Sequence, residues 1–160
     1  MVKVLFVCLG NICRSPTAEG VFAHKLERLG LTDEISIDSA GTGHWHVGKA
    51  PDGRAIAAAA GRGYRLEQLR ARQAVAGDFA LFDYILAMDS DNLAHLQALK
   101  PAGFTGHLGL FLEFAGQGAP TSVPDPYYGG DDGFQQVLDL IEAAADGLLV
   151  HIQQQQLAQR

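Results

Sequence analysis

A cysteine and an arginine near the N-terminus have the types and spacing to do chemistry together. Cys8 and Arg14 enclose Leu-Gly-Asn-Ile-Cys, and Ser15 and Pro16 follow. A thiolate is a strong nucleophile, and backbone N–H groups, a helix N-terminus and a nearby cation favour the thiolate form of a cysteine. A guanidinium donates two parallel N–H groups to two oxygens of a tetrahedral anion. We therefore expect a phosphate group held against the Cys8 sulfur, with attack on phosphorus giving a cysteinyl-phosphate.

The residues between Cys8 and Arg14 are suited to a tight, curled loop. Gly10 and Asn11 tolerate positive φ angles, so successive backbone N–H groups can point inward as an anion nest. The Ser15 hydroxyl is expected to donate a hydrogen bond to the Cys8 sulfur. The predicted phosphate-binding residues are Leu9, Gly10, Asn11, Ile12, Cys13 and Arg14. The alternative is that Cys8 is only a small buried side chain at a strand end, which is the commoner role of cysteine.

A phosphomonoester also needs a general acid for its leaving oxygen, and Asp125 is the candidate. Pro124 and Pro126 stiffen the backbone around it, and two glycines follow a few residues later. An ordinary turn-forming aspartate is the alternative interpretation. Tyr127 and Tyr128, on the same loop, are expected to form one wall of a slot for an aromatic leaving group.

Trp45 lies in a glycine-rich loop after the second predicted strand and is expected to form the opposite wall of this slot. A single tryptophan in a loop is more often a partly buried packing residue. His44 and His46 flank it as a possible metal-binding pair, but no cysteine or acidic residue stands at ligand spacing. The sequence therefore predicts no metal site, and the expected reaction uses no cofactor.

The hydrophobic pattern predicts the elements that position these residues. Strands are predicted at residues 2–8, 34–40, 84–88 and 107–111, and helices at 15–29, 51–60, 90–99 and 132–155. A short helical turn is predicted after Gly77, while residues 64–76 are ambiguous. Alternating strands and helices predict a four-stranded parallel sheet with helices on both faces. Ligands bind such sheets at the carboxyl ends of the strands, where Cys8 stands.

Composition narrows the class of protein. The chain has 160 residues, which suits a single domain over residues 1–160. A net charge of −6 argues against nucleic acid as a partner. The sequence contains no run of about 18 apolar residues, so a membrane-spanning segment is not predicted. The N-terminus lacks the pattern of a signal peptide, and the two cysteines both lie in the opening loop rather than across a disulfide framework. The cytoplasm is the predicted compartment.

Residues 8–16, together with Asp-Pro-Tyr-Tyr-Gly at residues 125–129, resemble the low-molecular-weight protein tyrosine phosphatases. The resemblance extends over nearly the whole chain and includes residues 38–42, 45–52, 71–73 and 82–89. It implies a flavodoxin-like, three-layer α/β/α sandwich that acts on a phosphotyrosine protein or a small aryl phosphate. It also implies that Cys8 is the nucleophile, that Arg14 binds phosphate, and that Asp125 is general acid and then base. Asn11 would hold the loop conformation and Ser15 would assist the thiolate, while Ile12, Trp45, Tyr127 and Tyr128 would contact the substrate.

One departure from that family concerns the support of the loop. Many relatives carry a histidine, hydrogen-bonded to the loop asparagine, where this sequence has Leu69. Asn11 must then be held by other groups, and Ser39 and Asp89 are the candidates.

Three other functions stay open on the sequence. Arginine-specific phosphatases resemble this loop but carry threonine at the position of Ile12, while arsenate reductases of the same fold use later cysteines, and none follows Cys13 here. A non-hydrolytic phosphate-binding module would lack a positioned acid such as Asp125.

Cys13 itself is either a packing residue or the redox partner of Cys8 in a reversible, protective disulfide. An apolar rim formed by Trp45, Tyr127 and Tyr128 would suit a monomer or a weak homodimer.

Overall fold

The computed structural model describes residues 1–126 and 131–157, and its framework is a four-stranded sheet. The strands are β1 (Val2–Cys8), β2 (Ile35–Gly41), β3 (Tyr84–Ala87) and β4 (His107–Leu110), in the order β2-β1-β3-β4. All three pairings are parallel, so the predicted sheet is confirmed. The central strand β1 ends at Cys8, directly opposite Gly41 of β2.

Tyr127 and Tyr128, which were predicted to contact the substrate, lie outside the described residues.

Helices cover both faces of the sheet, and their bounds follow the predicted pattern closely. They are α1 (Arg14–Leu29), α2 (Gly53–Ala60), α3 (Asp78–Leu81), α4 (Ser90–Leu99) and α5 (Asp131–Ile152). Residues 64–76 contain no helix or extended strand, only an isolated bridge from Gln73 to Gly41. None of the helices among residues 1–126 and 131–157 is both long and apolar enough to cross a bilayer.

Most predicted boundaries lie within one residue of those in the structure, and the second helix begins two residues later than predicted, at Gly53, after its cap Asp52. Two of the differences have a clear local reason. The fourth strand stops at Leu110, because a 3₁₀ turn (Phe111–Ala115) begins there and places the buried Phe111 ring 5.1 Å from Phe6. The last α-helix ends at Ile152, and the glutamine-rich segment that follows (Gln153–Leu157) winds as a π-helix.

The core has two parts, one on each side of β1. Alternate side chains of a strand point to opposite faces, so Phe6 packs with α1 and α5 while Leu5 and Val7 pack with α3 and α4. Phe6 is fully buried, with its ring centroid 5.9 Å from that of Phe22. The three-layer α/β/α sandwich is therefore confirmed, and it holds the carboxyl end of β1 rigidly at the centre of the sheet.

A close backbone approach between α5 and the 3₁₀ turn gives a test of this packing. A Cβ atom added to Gly147 would lie 1.7 Å from the Phe114 carbonyl oxygen, so Gly147→Ala forces the helix away from the turn. We expect the free energy of unfolding in urea to fall by about 1–3 kcal/mol. Gly53→Ala is the control, since nothing lies within 4 Å of its new methyl group and alanine favours the helix. Equal urea concentrations at the midpoint of unfolding for Gly147→Ala and the wild type would contradict this close packing.

Candidate active site

The loop between β1 and α1 is tied to the rest of the fold through its carbonyl groups. Four of these carbonyls accept hydrogen bonds from backbone N–H groups outside the loop. The Cys8 carbonyl accepts from Thr42 at 2.9 Å, and the Leu9 carbonyl accepts from Gly43 at 2.9 Å. The Ile12 carbonyl accepts from Asp52 at 2.8 Å, and the Cys13 carbonyl accepts from Thr17 at 3.2 Å. Within a planar trans peptide, the N–H of the next residue points opposite to the carbonyl. The N–H groups that follow these carbonyls therefore face the concave side of the loop, as an anion nest requires.

Gly41 allows the loop to lie against the end of β2. A Cβ atom at this position would approach the Leu9 carbonyl oxygen to 2.8 Å and the Gly10 carbonyl carbon to 3.1 Å. Only glycine fits such a contact without moving the backbone of the loop. The predicted glycine-rich loop began at Gly41, whereas the structure makes Gly41 the last residue of β2, and its steric role depends on β1 and β2 lying side by side.

Asn11 is the one non-glycine residue with positive φ (57°) in the described part of the chain. Its amide is fully engaged, since Nδ2 donates to Ser15 Oγ (2.8 Å) and Ser39 Oγ (3.0 Å), while Oδ1 accepts from the Arg72 N–H (3.0 Å). Of the two candidates for holding Asn11, Ser39 is confirmed. Leu69, at the position of the expected histidine, packs against the apolar core.

The Cys8 sulfur lies at the bottom of the concave side. It is 3.0 Å from Ser15 Oγ and accepts from the Asn11 backbone N–H at 3.3 Å. Because Ser15 Oγ accepts one N–H of Asn11, its own proton is available to the sulfur or to the Ala40 carbonyl at 3.3 Å. This geometry matches the expected contact between Ser15 and Cys8, and it suits a sulfur that carries negative charge.

Arg14 is a buried cation whose orientation is set by two acceptors. Nη1 donates to Asp89 Oδ2 at 2.6 Å and to the Val123 carbonyl at 3.1 Å, while Nη2 lies 3.7 Å from Asp125 Oδ2. Burial opposes the charge, but Cys8 and the hydrogen bond to Asp89 outweigh it and raise the pKa of Arg14 above its ordinary value. The guanidinium is therefore a permanent positive charge beside the sulfur.

Asp89 does not hold Asn11, so that expectation is wrong. Its Oδ2 binds Arg14, and its Oδ1 caps α4 by accepting from the Asn92 N–H at 2.8 Å. The pairing of Asp89 with Arg14 was not predicted from the sequence. The position of Asp89 at the carboxyl end of a predicted strand, beside β1 in the sheet, was the available signal.

A cavity of about 330 Å³ opens over the sulfur, which is within the size range of small-molecule sites. It is lined by Cys8, Leu9, Gly10, Ile12, Cys13, Arg14, Trp45, His46 and Asp125. The fold thus brings Trp45 and Asp125 to the same cavity as the opening loop, although both are distant from it in sequence. His46 also lines the cavity and was weighed in the sequence only as a possible metal ligand.

Trp45 is 61% exposed and stacks on His44, with ring centroids 5.7 Å apart. Its ring also lies over the backbone of Gly43, where an added Cβ atom would approach it to 1.8 Å, so Trp45 is an exposed side chain that borders the cavity and packs on its own loop. No cluster of three or more histidine, cysteine or acidic side chains suited to a metal ion occurs in the described part of the chain.

Cys13 lines the same cavity, and neither it nor Cys8 is in a disulfide. Burial, with Asp52 and Cys8 adding to it, raises the pKa of Cys13 to about 12. Cys13 is therefore a neutral thiol at physiological pH, unlike a nucleophilic cysteine.

Comparison with known proteins agrees with this geometry. Residues 3–158 match the family model described as low molecular weight phosphotyrosine protein phosphatase. The low molecular weight phosphotyrosine protein phosphatase of Schizosaccharomyces pombe is 50% identical over 134 residues, covering 83% of this chain and 85% of the relative.

Solved structures agree as well. A crystal structure of a protein tyrosine phosphatase from Entamoeba histolytica superimposes with a TM-score of 0.92 and 40% identity, covering 96% of this chain and 98% of the other. That of a Drosophila arginine phosphatase gives a TM-score of 0.87 and 34% identity, covering 94% and 97%. The chain therefore belongs to the low molecular weight phosphotyrosine protein phosphatase family.

Proposed function

We propose that this chain hydrolyses phosphotyrosine and related aryl phosphate monoesters through a cysteinyl-phosphate, with Cys8, Arg14 and Asp125 as the catalytic residues. The observation that carries the proposal is their convergence: the Cys8 sulfur, the Arg14 guanidinium and the Asp125 carboxyl line one cavity. A nucleophile, a fixed cation and a general acid within one small space meet the requirements of phosphoryl transfer.

In the first step, the phosphate dianion of the substrate occupies the nest. The inward-facing N–H groups and Arg14 stabilise the charge on its non-bridging oxygens, which is the main catalytic contribution in phosphoryl transfer. The Cys8 thiolate attacks phosphorus while the bond from phosphorus to the aryl oxygen breaks. Asp125 gives its proton to that oxygen, so the phenol leaves neutral and phosphate stays on sulfur.

In the second step, the Asp125 carboxylate takes a proton from water as the water oxygen attacks phosphorus. The phosphorus–sulfur bond breaks, inorganic phosphate forms, and the thiolate is regenerated. Ser15 and the Asn11 N–H stabilise this leaving thiolate, since both lie within hydrogen-bonding distance of the sulfur. No metal or other cofactor takes part in either step.

The walls of the cavity support an aromatic substrate. Ile12 presents only hydrocarbon, and Trp45 offers an exposed ring face for stacking. Tyr127 and Tyr128 stay predicted contacts, because they fall outside the described residues. A phosphotyrosine protein and a small aryl phosphate both fit this description.

Phosphoarginine hydrolysis is the second candidate function, because the Drosophila arginine phosphatase shares this fold. Ile12 argues against it, since its side chain cannot hydrogen-bond to a guanidinium. Arsenate reduction lacks support, as no cysteine follows Cys13. A module that only binds phosphate is disfavoured by Asp125, whose carboxyl shares the cavity with Arg14.

Three further expectations stay predictions. A reversible disulfide between Cys8 and Cys13 is compatible with two free thiols on one cavity. A monomer or a weak homodimer is still the expected oligomeric state, and the exposed side chain of Trp45 supports weak self-association. The cytoplasm remains the predicted compartment.

The catalytic assignment is tested with phosphotyrosine in the presence of EDTA. We expect full activity in EDTA, no turnover by Cys8→Ser with retained vanadate binding, and a roughly 10²–10⁴-fold slower phosphoenzyme-forming step in Asp125→Asn. Asp91→Asn, an exposed carboxyl of α4, is the matched control and should keep wild-type rates. Normal turnover by Cys8→Ser would refute the mechanism.

The substrate class is tested by comparing kcat/KM for phosphotyrosine, phosphoserine and phosphoarginine. We expect phosphotyrosine to be preferred, and Ile12→Thr to move the ratio towards phosphoarginine because the hydroxyl can bond to a guanidinium. Preference of the wild type for phosphoarginine would overturn the argument from Ile12.

The role of Trp45 is tested by truncation. Trp45→Ala should raise KM for phosphotyrosine about tenfold, since an aromatic pair contributes about 0.5–1.5 kcal/mol beyond burial. Val47→Ala, an equally exposed position on the same loop, should leave KM unchanged. If Trp45→Ala and Val47→Ala changed KM for phosphotyrosine equally, the aromatic ring of the substrate would not stack on Trp45.

A further inference from the structure

Glu19 is a carboxyl group that the mechanism above does not use, yet a hydrogen-bond chain connects it to the nucleophile. It lies on α1 and is mostly buried, and its Oε1 accepts the Ser39 hydroxyl at 2.7 Å. Ser39 Oγ accepts one Asn11 N–H (3.0 Å), Ser15 Oγ accepts the other (2.8 Å), and Ser15 Oγ lies 3.0 Å from the Cys8 sulfur.

Counting protons gives this chain a direction. The Asn11 amide has two N–H groups and uses both, one on each serine. Each serine oxygen therefore accepts from Asn11, and its own single proton must go to the other neighbour. For Ser39 that neighbour is Glu19, and for Ser15 it is either the Cys8 sulfur or the Ala40 carbonyl at 3.3 Å. An ionised carboxylate can accept a hydrogen bond but cannot donate one. While Glu19 is ionised, the Ser39 hydroxyl therefore has one orientation, with its proton directed at the Glu19 carboxylate.

The charges around Glu19 come from β2 and from the segment between α2 and α3. Asp38 of β2 repels the carboxylate, while Arg72 attracts it and is itself bound to Asp38 (3.0 Å) and Asp78 (3.1 Å). Burial is the largest effect and, with Asp38, raises the pKa of Glu19 to about 7, although the Ser39 hydroxyl and Arg72 oppose it. The charge of Glu19 therefore changes close to neutral pH.

We propose that Glu19 is a positioning residue for the nucleophile, whose carboxylate accepts the Ser39 hydroxyl and so keeps the Ser39 oxygen oriented to accept from Asn11, the residue whose backbone N–H donates to the Cys8 sulfur. The inference rests on the proposed function, because Cys8 is taken as the nucleophile. When Glu19 gains a proton, it can donate as well as accept, and Ser39 loses its unique orientation. Asn11 is then held less firmly at its left-handed φ angle, and the hydrogen bond from its backbone N–H to the Cys8 sulfur weakens.

Two substitutions separate charge from hydrogen bonding. Glu19→Gln keeps an acceptor oxygen without ionising, and Glu19→Leu removes the acceptor. Glu27→Gln makes the same chemical change on an exposed position of α1 and is the matched control. For each protein, the rate of Cys8 alkylation by iodoacetamide and kcat for phosphotyrosine are measured between about pH 5 and pH 9.

The wild type and Glu27→Gln should show an inflection near pH 7 in the alkylation rate that arises from Glu19. Glu19→Gln should lose it. Glu19→Leu should lower both the alkylation rate at pH 7 and kcat about tenfold, the equivalent of one hydrogen bond of about 1.4 kcal/mol. Glu19→Gln should recover part of this loss, because its side-chain oxygen still accepts from Ser39. It should stay below the wild type above pH 7, because its amide, like the protonated carboxyl, can also donate.

Urea unfolding provides a second measurement that does not depend on activity. The pKa of Glu19 is higher in the folded state than its ordinary value, so folding favours the protonated form. Stability is therefore present at low pH and is lost as the pH rises from about 4.5 through about 7. Relative to the wild type, Glu19→Gln should gain stability across that interval, and Glu27→Gln should not.

Several outcomes would overturn the inference. These are an inflection that persists in Glu19→Gln, wild-type alkylation and kcat in Glu19→Leu, or parallel pH dependence of stability in all variants. A wild type that does not hydrolyse phosphotyrosine would refute the proposed function instead, while the alkylation profiles would still test the connection from Glu19 to Cys8. If Glu19→Leu does not fold, the comparison of Glu19→Gln with the wild type decides.

Discussion

The hydrogen bonds of the Asn11 side-chain amide are the interactions on which the rest of the site depends. The amide holds its own residue at a φ of 57° and contacts three other parts of the fold. These are the helix α1 through Ser15, the strand β2 through Ser39, and the segment between α2 and α3 through the Arg72 N–H. An asparagine tolerates this conformation better than most residues, but the three hydrogen bonds are what select it. The peptide group before Asn11 is thereby turned so that its N–H donates to the Cys8 sulfur at 3.3 Å.

The parallel sheet explains why distant segments meet at this site. Every strand ends at the same edge, so Cys8 of β1, Gly41 of β2 and Asp89 after β3 become neighbours. Val123 is fastened to the same edge, because its N–H donates to the Met88 carbonyl at 2.8 Å and its carbonyl accepts from Arg14. Asp125, two residues further, is carried to the cavity by this attachment. The Arg14 guanidinium and the Asp125 carboxyl are thus positioned by backbone bonds as well as by their own contacts.

Much of this arrangement could be predicted from the sequence, because its signals are local. Buried β-branched runs predicted the strands, and the strand–loop–helix context of Cys8 predicted the nest. Contacts between segments were harder. The partner of Arg14, the steric demand at Gly41 and the charge environment of Glu19 all depend on which strands lie side by side, which hydrophobic pattern alone does not specify. The 3₁₀ turn at Phe111 was missed for a similar reason, since an aromatic residue at the end of a strand also suits the strand itself.

The outward anchoring of the loop carbonyls has a consequence for the energetics of binding. Thr42, Gly43, Asp52 and Thr17 hold the loop in its curled shape through bonds that involve no ligand. The oxyanion site is therefore preorganised, and little conformational entropy remains to be lost when a dianion enters. Such a site binds any tetrahedral dianion of the right size, including the inorganic phosphate that the reaction releases. Product inhibition is thus built into the same rigidity that makes the loop an efficient catalyst.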